Sequence, residues 1–173
     1  MTDSLCKSFS GKILVAGVGN RLMSDDGFGP RVIDALTSVQ LPENVELRDI
    51  GTAGLTIATD LEDFDFVIFL DSMKMEGEPG RLHVAEVEVK ESEGVEELAR
   101  MSLHEVDLVG LLKFSKAIGV LPPRVVLVGC KPAKISPGLE LSEDVEAAIG
   151  RAADIVLDML RVEHWKKRKK VLG

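Results

Sequence analysis

The stretch Ile13-Leu14-Val15-Ala16-Gly17-Val18-Gly19-Asn20-Arg21-Leu22-Met23-Ser24-Asp25-Asp26-Gly27-Phe28-Gly29 decides how this chain is read. An apolar run ends in a glycine turn, and two consecutive carboxylates follow at the mouth of a helix. Lys12–Val18 reads as a buried strand, and Gly27–Val39 as a helix with Phe28, Val32, Ile33 and Leu36 on one side. Glycine makes the tight turn possible without steric cost. Pro30 falls in the first helical turn, where a missing N–H costs little. Loops at the carboxyl ends of buried strands are where open α/β sheets keep their sites.

Outward from this block the same alternation continues. Val45–Asp49 reads as a short strand, Leu55–Leu61 as a short helix, Phe66–Asp71 as a second buried strand and Arg124–Cys130 as a third. Glu76-Gly77-Glu78-Pro79-Gly80 is a turn. Arg81–Val89 alternates as an edge strand would, with one slip near Ala85. Ser102-Leu103-His104-Glu105 has the capping-box pattern. It opens a helix carrying Leu108, Leu111, Leu112 and Ile118, stopped by Gly119 and Pro122. Ser142 caps a last helix whose apolar face is Val145, Ala148, Ile149, Ala152, Ile155, Val156, Met159 and Leu160. With no repeat and no inter-domain linker, the expected fold is α/β: one domain with a mostly parallel sheet and helices on both faces.

Composition narrows the function. A chain of 173 residues, 45% hydrophobic, is large enough to bury a core of its own and is not a disordered protein. Its net charge of −8 argues against a general nucleic-acid binder or a membrane-surface protein. Met1–Ser10 has no apolar signal region, and Phe66–Leu70 is strand-sized rather than membrane-spanning, so no membrane insertion is expected. Cys6 and Cys130 are too few and too far apart for a CxxC site or a disulfide framework, and they fit a reducing cytoplasm.

The chemistry-bearing residues are the acids Asp25 and Asp26, Asp71 at the end of its apolar run, and His104 at a helix start. Acids at a helix N-terminus cap orphan N–H groups, which accounts for one Asp of the pair but not for two. Asp71 reads equally as a solvated loop residue or as a site acid. His104 reads as an exposed first-turn residue or as a ligand, since a helix N-terminus favours the neutral imidazole that coordination needs. Two carboxylates and a histidine from separate loops make an open N/O set that suits zinc, nickel or another first-row ion. His83 and His164 read as surface residues, and Lys166–Lys170 as a solvated helix end. Asp49-Ile50-Gly51-Thr52-Ala53-Gly54 and Lys131-Pro132 read as connections. Gly17-Val18-Gly19 lacks the third glycine of a dinucleotide fingerprint, its place being taken by Leu22, and the acids would repel a pyrophosphate. No Gly-Lys-Ser/Thr of a P-loop follows. No HExxH helix supports a self-sufficient zinc hydrolase.

In order along the chain, the GxGN…DDGFG block at Ile13–Gly29, the loop Asp49–Gly54, Val67–Asp71, Gly77–Gly80, Ser102–His104 and Val125–Gly129 resemble the hydrogenase maturation proteases. The likeness runs from about Lys12 to Arg161, leaving the N-terminal segment and basic tail peripheral. It implies a twisted, mainly parallel five-stranded sheet in a three-layer sandwich. It also implies an endopeptidase that removes a C-terminal extension from the nickel-loaded precursor of a [NiFe] hydrogenase large subunit; separately, a cytoplasmic monomer is expected. The family's metal-binding acids fall on Asp26 and Asp71, the expected catalytic pair, and its histidine falls on His104. Nickel is expected to arrive with the precursor; another divalent metal such as zinc can take its place in vitro. Asp26 is one methylene shorter than the Glu often found there, and the loop at Asp49–Thr52 has lost a glycine. The alternative is a non-proteolytic, metal-dependent chaperone of the same subunit.

Overall fold

The computed structural model describes residues 11–52, 54–89 and 108–161. Five strands form one sheet: β1 (Ile13–Val18), β2 (Val45–Gly51), β3 (Phe66–Ser72), β4 (Leu82–Glu86) and β5 (Arg124–Cys130). Their order is β2-β1-β3-β5-β4. β1 is parallel to β2 and β3, β3 is parallel to β5, and β4 closes the edge antiparallel to β5.

The central strands are apolar at nearly every position because both faces of the sheet are covered. One face of β1, β3 and β5 presents Ile13, Val15, Ile68, Leu70, Val126 and Val128 to helices α1 (Phe28–Thr37) and α3 (Glu143–Arg161). The intervening residues Leu14, Ala16, Val67, Phe69, Val125 and Leu127 face α2 (Leu108–Ala117) and the 3-10 segments Gly54–Ile57 and Thr59–Asp63. The period of two along each strand thus sorts the core into two layers around the sheet. Each fully buried Leu, Ile, Val or Phe contributes roughly 1.5–3 kcal/mol of transfer free energy.

Three local departures have physical causes. The helix expected over Leu55–Leu61 is two short 3-10 segments; a piece this short cannot offset the cost of helix nucleation. Ile118 is not on the apolar face of its helix: it lies past Ala117, 45% exposed, where Gly119 at φ +81° ends the helix. The edge strand expected over Arg81–Val89 spans only Leu82–Glu86, and the slip near Ala85 marks a change of side, with Leu82 and Val84 against one core cluster and Val87 and Val89, past the end of β4, against the other. The capping box at Ser102–Glu105 lies outside the described residues.

The topology also fixes where a site can form. From β1 the chain crosses to β2 on one side, and β3 then returns to the other side of β1. At such a switch the connections after the two strands diverge, leaving a crevice beyond the carboxyl ends of β1 and β3. Asp25 and Asp26 follow β1, and Asp71 is the penultimate residue of β3.

Candidate active site

The loop after β1 is shaped by close approach. Gly19, at φ +132°, lies against the backbone of Asp26: a Cβ there would meet the Asp26 carbonyl oxygen at 1.9 Å. Gly29 seats the first turn of α1 on the sheet, since its Cβ would meet the Leu70 oxygen at 2.2 Å and the Val18 oxygen at 2.4 Å. Between them Ser24 takes a left-handed conformation, φ +50°, unusual for a residue with a side chain. It is held there by its N–H on the Gly138 carbonyl, 2.8 Å, and its hydroxyl on the Ser136 carbonyl, 2.8 Å. A 3-10 turn, Ser24–Gly27, then leads into α1.

This geometry gives the two neighbouring acids different surroundings. Asp25 is fully buried. Its carboxylate accepts from the N–H groups of Ala133 at 2.8 Å, Lys134 at 3.1 Å and Ser142 at 2.7 Å, and from the Ser142 hydroxyl at 2.9 Å. Burial works to raise its pKa, but the hydrogen bonds from Ser142, Lys134 and Ala133 outweigh it and hold the group below the ordinary carboxylate value. Ser142 directly precedes α3, where a side-chain cap is expected, but its hydroxyl donates to Asp25. Asp26 is half-buried. Its Oδ2 accepts from the Asn20 N–H at 2.8 Å and its Oδ1 from the Ser72 hydroxyl at 2.9 Å. A carboxylate offers about four lone-pair sites, so Asp26 keeps acceptor capacity on both oxygens after these two bonds.

Ser72 is the residue after Asp71, so this bond joins the loop after β1 to the end of β3. The structure therefore brings Asp26 and the Asp71–Ser72 pair to the same switch point. Asp71 is half-buried and level with Gly129 of β5. His104, the third expected ligand, lies outside the described residues, as do His164, Cys6 and Lys166–Lys170. Among the described residues, no group of three or more His, Cys, Asp or Glu side chains is placed to hold a metal ion. His83 is half-buried rather than simply exposed, and it too is level with Gly129, from the β4 side. The side chain of Met73 fills the space above that glycine.

Asp49 anchors the framework. It accepts from the Gly51 N–H at 3.0 Å and from Arg21 Nε at 2.9 Å. Arg21 also grips both oxygens of Asp34 on α1, at 2.6 and 2.8 Å, and the Pro30 carbonyl at 3.2 Å. The Asp34 carboxylate, with Asp49 beside it, raises the Arg21 pKa, and Arg21 in turn lowers that of Asp34. Cys130, at the end of β5, is buried, and burial with Asp25 nearby pushes its thiol up to about 11.

Sequence reasoning missed Ser72, Arg21 and the Asn20 backbone. A polar residue directly after the strand-ending Asp71 was the one available signal for Ser72. For Arg21 there was none, because its partners Asp34 and Asp49 are 13 and 28 residues away.

Comparison with known proteins identifies the family. A sequence model described as hydrogenase maturation protease matches residues 30–159. The chain belongs to the hydrogenase maturation protease family. The hydrogenase 2 maturation protease of Escherichia coli (strain K12) is 33% identical over 152 residues, covering 87% of this chain and 91% of that protein. The crystal structure of hydrogenase 2 maturation peptidase from Thaumarchaeota archaeon SCGC_AB-539-E09 is similar at TM-score 0.67 and 59% identity, covering 88% of this chain and 99% of the other. The hydrogenase maturating endopeptidase HybD from E. coli is similar at TM-score 0.72 and 33% identity, covering 87% and 92%. The protein is thus a maturation protease, a peptide-bond hydrolase, with that family's five-stranded α/β fold. No helix among its described residues is long and apolar enough to cross a membrane.

Proposed function

We propose that this maturation protease removes a C-terminal extension from the nickel-loaded precursor of a [NiFe] hydrogenase large subunit, and that it reads the precursor's nickel through Asp26, Asp71 and His104. The observation that carries the reading is the hydrogen bond from Ser72 to Asp26. It holds one acid beside the strand end that bears the other, at the switch point where an α/β sheet binds its ligands. The chemistry of the donors fits. Asp26 has a spare lone pair on each oxygen, and carboxylate and imidazole donors suit first-row divalent ions. Two acids and a histidine leave coordination positions open, as docking of a metal that stays with its protein requires. Zinc can occupy such ligands in vitro.

In this reading Asp26 and Asp71 bind and orient the metal-bearing end of the substrate, which places the scissile peptide against the crevice. Water is activated there either by the substrate's metal or by one of the two acids acting as general base. The protease acts on its precursor in the cytoplasm, where two widely spaced cysteines are at home.

The deciding test is the intact mass of a cognate, nickel-loaded large-subunit precursor before and after the protease is added. Loss of a discrete C-terminal peptide is expected, requiring nickel and abolished by Asp26→Ala and by Asp71→Ala in variants that still fold. An unchanged mass with cognate loaded precursor would overturn the proteolytic reading in favour of a chaperone. Full trimming by either variant would remove that acid from the mechanism.

A further inference from the structure

We infer that Ser72 is a positioning residue for Asp26: its hydroxyl fixes the plane of that carboxylate and so decides which lone pairs meet the substrate's metal. The inference rests on the proposal that Asp26 contacts that metal.

An aspartate carboxylate has two side-chain torsions, and its terminal torsion is soft. One hydrogen bond to one oxygen leaves the group free to swing about that contact. Asp26 has one donor on each oxygen, from different elements: the Asn20 N–H on Oδ2 and the Ser72 hydroxyl on Oδ1, at 2.8 and 2.9 Å. Together they fix both torsions. The two donors differ in rigidity. Asn20 belongs to the loop that carries Asp26 itself, whereas Ser72 is the last residue of β3, paired with Cys130 of β5. The next N–H, that of Met73, bonds the Cys130 carbonyl at 2.9 Å, so the strand is held on both sides of Ser72. Ser72 therefore references Asp26 to the sheet. Because Asp71 is its neighbour on the same strand, it references the two acids to each other.

Asp25 shows the contrast. Four donors surround that buried carboxylate. Among the described residues Asp26 has two donors, enough to orient it while leaving lone pairs open. Hydrogen bonds of this kind to metal-binding carboxylates are worth roughly 10–100-fold in metal affinity.

The test compares Ser72→Thr with Ser72→Val, which share a shape and differ by the hydroxyl, alongside Ser72→Ala and Asp26→Ala, all in the full chain. Nickel binding is measured with Ni²⁺ by titration calorimetry, and folding is followed by thermal melting. Ser72→Thr is expected to bind Ni²⁺ within about twofold of the native protein, and Ser72→Val and Ser72→Ala about tenfold more weakly, without loss of the folded state. Equal affinity for the Thr and Val variants, with Asp26→Ala weakened, would overturn the positioning role and leave the proposed function standing. Undiminished binding by Asp26→Ala would overturn both.

Discussion

An ionised carboxylate taken out of water must have its lone pairs filled, and among the described residues Asp25 meets that demand with four donors whereas Asp26 has two. That difference separates an acid spent on holding the fold from the one proposed to meet the substrate's metal. The same reasoning governs Cys130. Its thiol is buried at the end of β5 and, with Asp25 adding to the effect of burial, is pushed up to about 11. Alkylation requires the thiolate and access. In a Cys6→Ser protein, iodoacetamide at about pH 8 is therefore expected to leave Cys130 unmodified until denaturant is added. Mass spectrometry before and after denaturation checks this, and rapid labelling of the native protein would contradict the burial. The acid pair was legible in the sequence as more than a cap needs. The different surroundings of its two members were not, because the donors that claim Asp25 lie 108 to 117 residues further along. Those contacts exist only once β5 and α3 are in place.

Elements follow from local pattern where burial is two-sided or periodic, and here they were largely legible. β5 spans Arg124–Cys130 as expected, and the last helix starts directly after Ser142. Short segments between elements were harder, since the 3-10 turns at Ser24–Gly27 and Thr59–Asp63 depend on what they pack against. Two glycines, both inside helices, show how context decides. Gly29, in the first turn of α1, has no room for a side chain: backbone oxygens of Leu70 and Val18 stand where its Cβ would be. Backbone of two central strands cannot yield, so Gly29→Ala must lift α1 off the sheet and is expected to cost about 3 kcal/mol or more. Gly150, inside α3, faces open space. There alanine gains helix propensity and restrains the unfolded chain, so Gly150→Ala is expected to stabilise by about 0.5–1 kcal/mol. Urea unfolding of the two variants should move in opposite directions. Destabilisation of equal size at both positions would refute the assignment of Gly29 to close packing.

At the scale of the whole molecule, Asp25 ties together segments that local pattern keeps apart: the loop after β1, the turn after β5 and the start of α3. Its folded pKa is depressed, with the hydrogen bonds overcoming burial. A group depressed in the folded state contributes stability that is fully present above its unfolded pKa of about 3.9, and that is lost as pH falls through the folded value. Below both values the carboxyl is neutral in either state and contributes nothing through its charge. Asn at this position is neutral at every pH and cannot replace the charged acceptor. Asp25→Asn is therefore expected to be less stable than the native protein by roughly 2–3 kcal/mol near neutrality, from loss of charge-assisted bonds inside the fold. That gap should close as the pH is lowered from about 5 towards 2, because acid takes from the native protein what the substitution has already removed. Asp34, lowered by Arg21, adds to the acid sensitivity of both proteins and cancels in the comparison. Urea midpoints of the pair measured across that range test the argument directly. A gap independent of pH would mean that the Asp25 charge does not hold these three segments together.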